Sequence, residues 1–224
     1  MTKVSCIIPV YNEAERIMGV LNAVVGHELI DEVIVVDDGS TDNSKKALEN
    51  RSGIQLISYI KNRGKSFAIE TGLKKSKNEI VMLIDSDLIG LQAGDLTQLI
   101  EPVVMGQADI AITLRKNSLQ IYKIFGLDFV SGERVFHKGI IGDLEQLGRL
   151  PGFGLEVFLN RIIIDQKLKL KVVPWENVIS PRKSKKVGRL QGTYADYAMI
   201  RQILRTVSAR EVVRQIYRMR ALRV

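Results

Sequence analysis

The chain has 224 residues, 33 lysines and arginines against 25 aspartates and glutamates, a formal net charge of +8, 46% hydrophobic residues and one cysteine. These values suit one soluble globular domain and exclude a disordered chain, a collagen-like repeat and a disulfide scaffold. A chain of this length buries roughly 70% of its unfolded surface, so it needs no metal to fold and any metal it binds is expected to be functional.

Short apolar runs alternate with helical patterns. VSCIIPV precedes a helix near residues 13–25, VIVVDD one near 41–49, IQLISYI one near 65–77 and EIVMLID one near 95–105. This rhythm predicts an α/β fold, a mainly parallel twisted sheet with helices on both faces. Cys6 lies in the first apolar run and reads as a small core side chain in a reducing compartment. Three strands end in polar clusters, Tyr11-Asn12-Glu13, Asp37-Asp38-Gly39-Ser40 and Asp85-Ser86-Asp87. Ligands bind beyond the carboxyl ends of strands in open α/β sheets, so the three clusters are expected on one rim.

ADIAITL reads as a further strand, and residues 115–153 are less regular and rich in glycine. Leu155 to Gln166 then reads as a helix, LKLKVVP as a strand, and PRKSKKVGRLQG as a basic loop with Arg182, Lys183, Lys185, Lys186 and Arg189. Residues 1–180 carry 21 basic and 23 acidic side chains, residues 181–224 carry 12 and 2, so the positive excess lies entirely in the tail. There Ile200, Ile203, Leu204 and Val207 follow an i, i+3, i+4, i+7 pattern, and Arg210, Arg214 and Arg218 recur every four residues. The tail is expected to form an amphipathic helix with a basic face. No apolar stretch approaches the roughly 18 residues of a membrane span, and the expected location is cytoplasmic, at most peripheral on the inner membrane surface.

The chemistry is concentrated at Asp85-Ser86-Asp87. Side chains two apart on an extended segment point the same way and can share a hard cation, Mg²⁺ or Mn²⁺, whose shell is completed by water and substrate phosphates. Read alone, the same three residues are a solvated turn after a buried strand.

Context changes that reading. CIIPVYNEAERI, VIVVDDGSTDNS, NRGKSFAIETGL and IDSD, in this order, resemble the nucleotide-diphospho-sugar transferases of glycosyltransferase family 2, with its GT-A fold. The resemblance is close over residues 4–88 and looser, through SGERVF and GFGLE, to about residue 160. It implies a metal-dependent, inverting transfer of a sugar from a UDP- or GDP-linked donor. It also implies a catalytic domain over 1–180, with the donor on 1–115 and the acceptor on 116–180, followed by the basic loop and helix of 181–224. Pro9, Tyr11 and Glu13 are placed around base and ribose, Asp38 as acceptor for the base, Gly64 and Lys65 against the donor phosphates, and Asp85 and Asp87 at the metal and diphosphate. Asp42 and Asn43 read as helix caps, and Ala68 and Gly72 as close packing against the sheet.

For the acceptor, Gly152-Phe153-Gly154-Leu155-Glu156 looks like the G-x-G-x-E of relatives of glucosyl-3-phosphoglycerate synthases. Glu156 is a general base, a substrate ligand or a charge at a helix N-terminus. Ser131-Gly132-Glu133-Arg134 resembles the S-G-x-R of polyprenyl-phosphate sugar transferases, with Arg134 on an acceptor phosphate and Glu133 alternatively holding the loop. Against that subfamily, Ile89 stands where D-x-D-x-Q would have its glutamine. The leading expectation is therefore a glycosyltransferase with a sugar, phosphorylated small-molecule or lipid-phosphate acceptor. The alternative is a polyprenyl-phosphate transferase whose tail lies on anionic membrane, the same apolar residues being equally suited to packing on the domain or on another subunit of a homo-oligomer. A non-catalytic nucleotide-sugar or nucleic-acid binding protein ranks third, because the tail offers only non-specific charge. His27 and His137 read as ordinary residues.

Overall fold

The computed structural model describes residues 3–181, 201 and 207–224, so the basic loop and Ile200, Ile203 and Leu204 lie outside the described residues. The first half of the chain runs β1 (Val4–Val10), α1 (Ile17–Val24), β2 (Ile30–Asp37), α2 (Ser44–Glu49), β3 (Gln55–Ser58), α3 (Lys65–Lys75) and β4 (Ile80–Leu83). It continues with α4 (Ala93–Val104), β5 (Ile110–Arg115), α5 (Gln120–Phe125), β6 (Arg134–His137), α6 (Gly154–Asp165), β7 (Leu170–Trp175) and α7 (Ala209–Ala221). Short 3-10 helices at Lys138–Ile141 and Leu144–Arg149 join β6 to α6.

One sheet has the order β3-β2-β1-β4-β6-β5-β7. The pairs β1/β2, β1/β4, β2/β3 and β5/β7 are parallel, whereas β6 runs antiparallel between β4 and β5. The expected mainly parallel sheet is present, and β6 is the departure from the expected pattern. Four residues between loops carry too little alternation to mark a strand in sequence. Because β6 alone is reversed, β1, β2, β4, β5 and β7 all end on the same rim.

Both faces of the sheet are covered, and the two-residue period decides which side chain goes where. Val33 and Val35 of β2 join Ile17, Leu21 and Leu96 in one cluster, while Ile34 and Val36 turn to Ala68 of α3. A Cβ on Gly72 would collide with Ile7 Cγ2, so α3 lies directly on β1 and the close packing expected of Ala68 and Gly72 is found. Cys6 is fully buried in the core, where burial pushes its thiol above the ordinary value. Pro9 lies two residues beyond Ile7, the last β1 residue paired with β4, so its missing N–H costs no ladder bond there.

Helix α7 closes the other end of the domain. Ser208 caps it by accepting from Glu211 N, Ile216 and Met219 are buried, and Asn160 Nδ2 of α6 donates to Gln215 Oε1 at 3.3 Å. The chain after it returns to β7, with Leu170 N donating to Leu222 O and Val224 N to Leu170 O. Of the expected tail, a helix at 209–221 is present, and it buries Gln215, Ile216 and Met219. His27 Nε2 lies 3.1 Å from both Ala93 O and Thr97 Oγ1 of α4, a structural link, and His137 is an exposed end of β6.

Candidate active site

At the ends of β1 and β2, backbone and side chains lock the rim together. Asn12 takes a left-handed conformation (φ 57°) and its Oδ1 accepts from Thr41 N at 2.8 Å, while Glu13 N donates to Ser44 Oγ at 2.8 Å. Glu13 Oε2 is held 2.6 Å from Arg16, and Tyr11 stands 46% exposed on the rim. Asp42 accepts from Ser44 N and from Ala14 N, whereas Asn43 occupies the cap position of α2 without a side-chain cap bond. The capping expected of both residues is thus carried by Asp42 alone.

Asp38 is 2% exposed and accepts from Arg63 N at 2.8 Å and Gly64 N at 2.7 Å. It fixes the Asn62-Arg63-Gly64-Lys65 loop, and each oxygen keeps a second lone pair. Gly64 has φ 98° and ψ 153°, a conformation that favours glycine, and this turn starts α3 with Lys65 aimed along the rim.

Lys65 is the hub of the site. Its Nζ lies 2.7 Å from Asp85 Oδ1 and 3.1 Å from Glu156 Oε1 on the first turn of α6. Burial disfavours the ammonium, but the two carboxylates outweigh it and hold Lys65 above the ordinary lysine value. Burial likewise works against the Asp85 carboxylate, yet Lys65 and then Arg115 keep it below the usual range. Gly132 closes over this pair, since a Cβ there would stand 2.7 Å from both Asp85 Oδ2 and Lys65 Nζ.

Arg115, at the end of β5, reaches Glu133 Oε1 at 2.7 Å, Asp85 Oδ2 at 3.9 Å and Asp128 Oδ2 at 4.0 Å. Glu133 is fully buried and also accepts from Thr113 Oγ1 and Ser131 Oγ, so it holds the loop. Sequence reasoning missed Arg115. The signal was available, because Arg115 ends a strand on the same rim as the three clusters that were singled out.

Arg134 is placed otherwise than the acceptor-phosphate role requires. It is fully buried, with Nε donating to Ser131 O, Nη1 to Asn160 Oδ1 and Nη2 to Phe129 O. Burial lowers its guanidinium to about 10 despite Glu156, Asp128 and Glu133 nearby. As the first residue of β6 it pins the S-G-E-R turn to α6, and the cations at the rim are Lys65 and Arg115.

Asp87 has a different environment from Asp85. Ser86-Asp87 forms a turn, not the extended segment expected, and Ser180 Oγ donates to Asp87 Oδ2 at 2.8 Å. Ile89 sets this up by a two-way backbone bridge with Ile179, and Asn117 Nδ2 donates to Ser180 O at 2.6 Å. Burial and the Asp85 charge push Asp87 up to about 6. Among the described residues, Asp87 Oδ1, Arg115 Nε and Glu156 Oε2 are buried here without a hydrogen-bond partner, as is Asp37 Oδ2 at the end of β2.

Among the described residues no three His, Cys, Asp or Glu side chains gather into a metal cage. The set still fits Mg²⁺ or Mn²⁺, which often take one or two carboxylates and complete their shell with phosphates. Asp87, with an unpartnered oxygen and no ion pair among the described residues, is the first candidate ligand. Asp85 is the second, its Oδ1 already paired.

The glycosyl transferase family 2 model matches residues 5–130. An undecaprenyl-phosphate 4-deoxy-4-formamido-L-arabinose transferase of Pseudomonas fluorescens is 34% identical over 125 residues, 51% of this chain and 36% of that relative, so the chain spans about a third of its length. A UDP-N-acetylglucosamine–dolichyl-phosphate N-acetylglucosaminyltransferase of Methanococcus voltae is 28% identical over 208 residues, 74% of this chain and 81% of that relative. The glucosyl-3-phosphoglycerate synthase of Mycobacterium tuberculosis, solved with Mn²⁺, UDP and glucosyl-3-phosphoglycerate, superposes with a TM-score of 0.68 over 92% of this chain and 80% of that one, at 21% identity.

Proposed function

The chain belongs to glycosyl transferase family 2 and has the GT-A fold; from that premise we propose that it transfers a sugar from a nucleoside-diphosphate donor to the phosphate of a polyprenyl phosphate, with inversion. The observation that carries this reading is the balance of charges at the rim. Glu156 Oε1 is engaged by Lys65, and the group beside Asp85 on the acceptor side is the Arg115 guanidinium. Such a site supplies cations for an anionic nucleophile, and the two carboxylates around Lys65, Asp85 and Glu156, are both paired with it. The lipid-phosphate acceptors named for the two relatives support the same class.

In this mechanism Tyr11, Asp38 and the Gly64 turn hold the nucleoside end of the donor, and Lys65 stands at the diphosphate. Arg115 orients the acceptor phosphate by its forked donors, Nε included. A phosphate oxygen attacks the anomeric carbon from the face opposite the diphosphate. The bond between that carbon and the diphosphate oxygen breaks, and its electron pair leaves with the nucleoside diphosphate. No proton has to be removed, since the nucleophile is already ionised. A divalent cation on Asp87 and Asp85 would offset the charge that develops on the leaving group.

A second reading, transfer to a hydroxyl of a small phosphorylated acid, is favoured by the unpartnered Glu156 Oε2. Nucleotide release from UDP- and GDP-sugars with Mn²⁺ decides between them. Release that depends on a short-chain polyprenyl phosphate supports the lipid acceptor; release that depends only on phosphoglyceric acid rejects it.

A further inference from the structure

We propose that the exposed face shared by α5 and α7 docks on an anionic lipid bilayer. The proposal rests on the lipid-acceptor reading for its purpose, while the argument for it comes from the surface.

Both helices turn one side inward and leave large apolar groups outside. Tyr122 of α5 and Ile216 and Met219 of α7 enter the same core cluster, so the fold is already served by the inner sides. Outside, Ile121 is 53% and Ile124 77% exposed on α5, and Val213 is 67% and Tyr217 77% exposed on α7. Val213 and Tyr217 are four apart and so lie one above the other on their helix. Just past α7, Arg223 Nη1 donates to Phe125 O at the end of α5 at 3.5 Å, against Gly126.

The charges around these groups are mainly positive. Lys123 lies between the two isoleucines, and Arg210, Arg214 and Arg218, all exposed, flank Val213 and Tyr217. The one acid of α7, Glu211, is taken up by Arg214 at 3.4 Å and Arg161 at 3.8 Å. Apolar side chains ringed by arginine, with a tyrosine among them, match the acyl and phosphate layers of an anionic membrane surface. Helix α5 lies on the chain between Arg115 and Asp128, which stand 4.0 Å apart in the site.

Sedimentation with phosphatidylcholine vesicles, with and without phosphatidylglycerol, tests this on the full chain without donor or acceptor. The intact protein is expected to pellet with anionic vesicles at low salt and to be released by high salt. The pairs Ile124→Glu with Tyr217→Glu, and Arg214→Glu with Arg218→Glu, should each lower partitioning at least ten-fold, a loss on the scale of about five-fold per arginine removed. Melting temperature and Mn²⁺-dependent nucleotide binding should stay unchanged in both. Failure of the intact protein to pellet, or equal partitioning of the variants, overturns the proposal. So does a concentration-dependent dimer abolished by the first pair, which would assign the face to a second copy. Vesicle binding without transfer to polyprenyl phosphate in detergent would instead reject the acceptor reading and leave the docking face standing.

Discussion

The Lys65 ammonium stands 2.7 Å from Asp85 Oδ1, so one carboxylate of the D-x-D step carries a counter-ion supplied by the protein. Among the described residues Asp87 has no ion pair, and burial and the Asp85 charge push it up to about 6. The pair is therefore asymmetric, with Asp85 as a fixed anion in a network of cations and Asp87 as the group whose charge awaits a partner.

Replacing Lys65 by methionine removes the charge shared by Asp85 and Glu156, the latter 3% exposed. Breaking a wholly buried pair costs about 3–5 kcal/mol. The Lys65 side chain is 35% exposed, so solvent screens part of the loss and about 1–3 kcal/mol is expected. Urea unfolding of Lys65→Met should show it as a lower midpoint with an unchanged slope. An unchanged midpoint would mean that water or another cation serves the two carboxylates equally well.

Asp87 makes stability depend on pH in a way that a metal reverses. Its folded value of about 6 lies above the ordinary 3.8, so the folded protein keeps the proton to a higher pH than the unfolded chain does. The associated stability is full below 3.8 and is lost as pH rises through about 6. Asp87→Asn is neutral throughout and escapes that loss. In chelator at pH 7.5 the variant is expected to melt a few degrees above the parent, and the difference should close towards pH 4. Mn²⁺ with nucleotide should raise the parent and leave the variant where it is. A difference that is constant across the range would place the cause elsewhere.

What sequence could and could not reveal follows from how each contact is built. The rim of Tyr11, Asp38, Asp85 and Asp87 was legible because strand ends are local and the sheet brings them together by rule. The link from Lys65 to Glu156 was not, because it joins the starts of two helices far apart in the chain. Arg134 was misplaced because S-G-E-R looks like an exposed loop motif until β6 pairs with β4 and β5 and draws its last residue into the core. Ser180 escaped notice because the Ile89–Ile179 bridge, which joins distant parts of the chain, and Asn117, remote in sequence from Ser180, carry it to Asp87.

Two glycines separate site from scaffold. A methyl group on Gly132 meets Asp85 Oδ2 and Lys65 Nζ at 2.7 Å, so Gly132→Ala must part that pair or move the turn. Mn²⁺-dependent nucleotide affinity should fall by at least about ten-fold with little change in melting, the loss of one charge-assisted contact. Gly72→Ala presses on Ile7 inside the core and should cost about 1–3 kcal/mol while nucleotide affinity in the folded fraction is kept. Calorimetric titration beside thermal melting reads both, and a reversed pattern would contradict the assignment.

Glu156→Gln distinguishes the two acceptor classes by chemistry. If the nucleophile is a phosphate oxygen, no proton leaves it, and the amide still offers Lys65 a carbonyl oxygen at the place of Oε1. Turnover should then fall less than about ten-fold, with no change in the shape of its pH profile, since general-base catalysis of about 10²–10⁴-fold is not in use. If a hydroxyl attacks, the buried and unpartnered Oε2 is the base within the site, and the variant should lose that whole factor together with the acid limb of the profile. Measuring kcat and KM for the acceptor across pH, with melting temperature as the control for folding, gives the answer. A large loss confined to KM would belong to neither and would make Glu156 a substrate ligand held in place by Lys65.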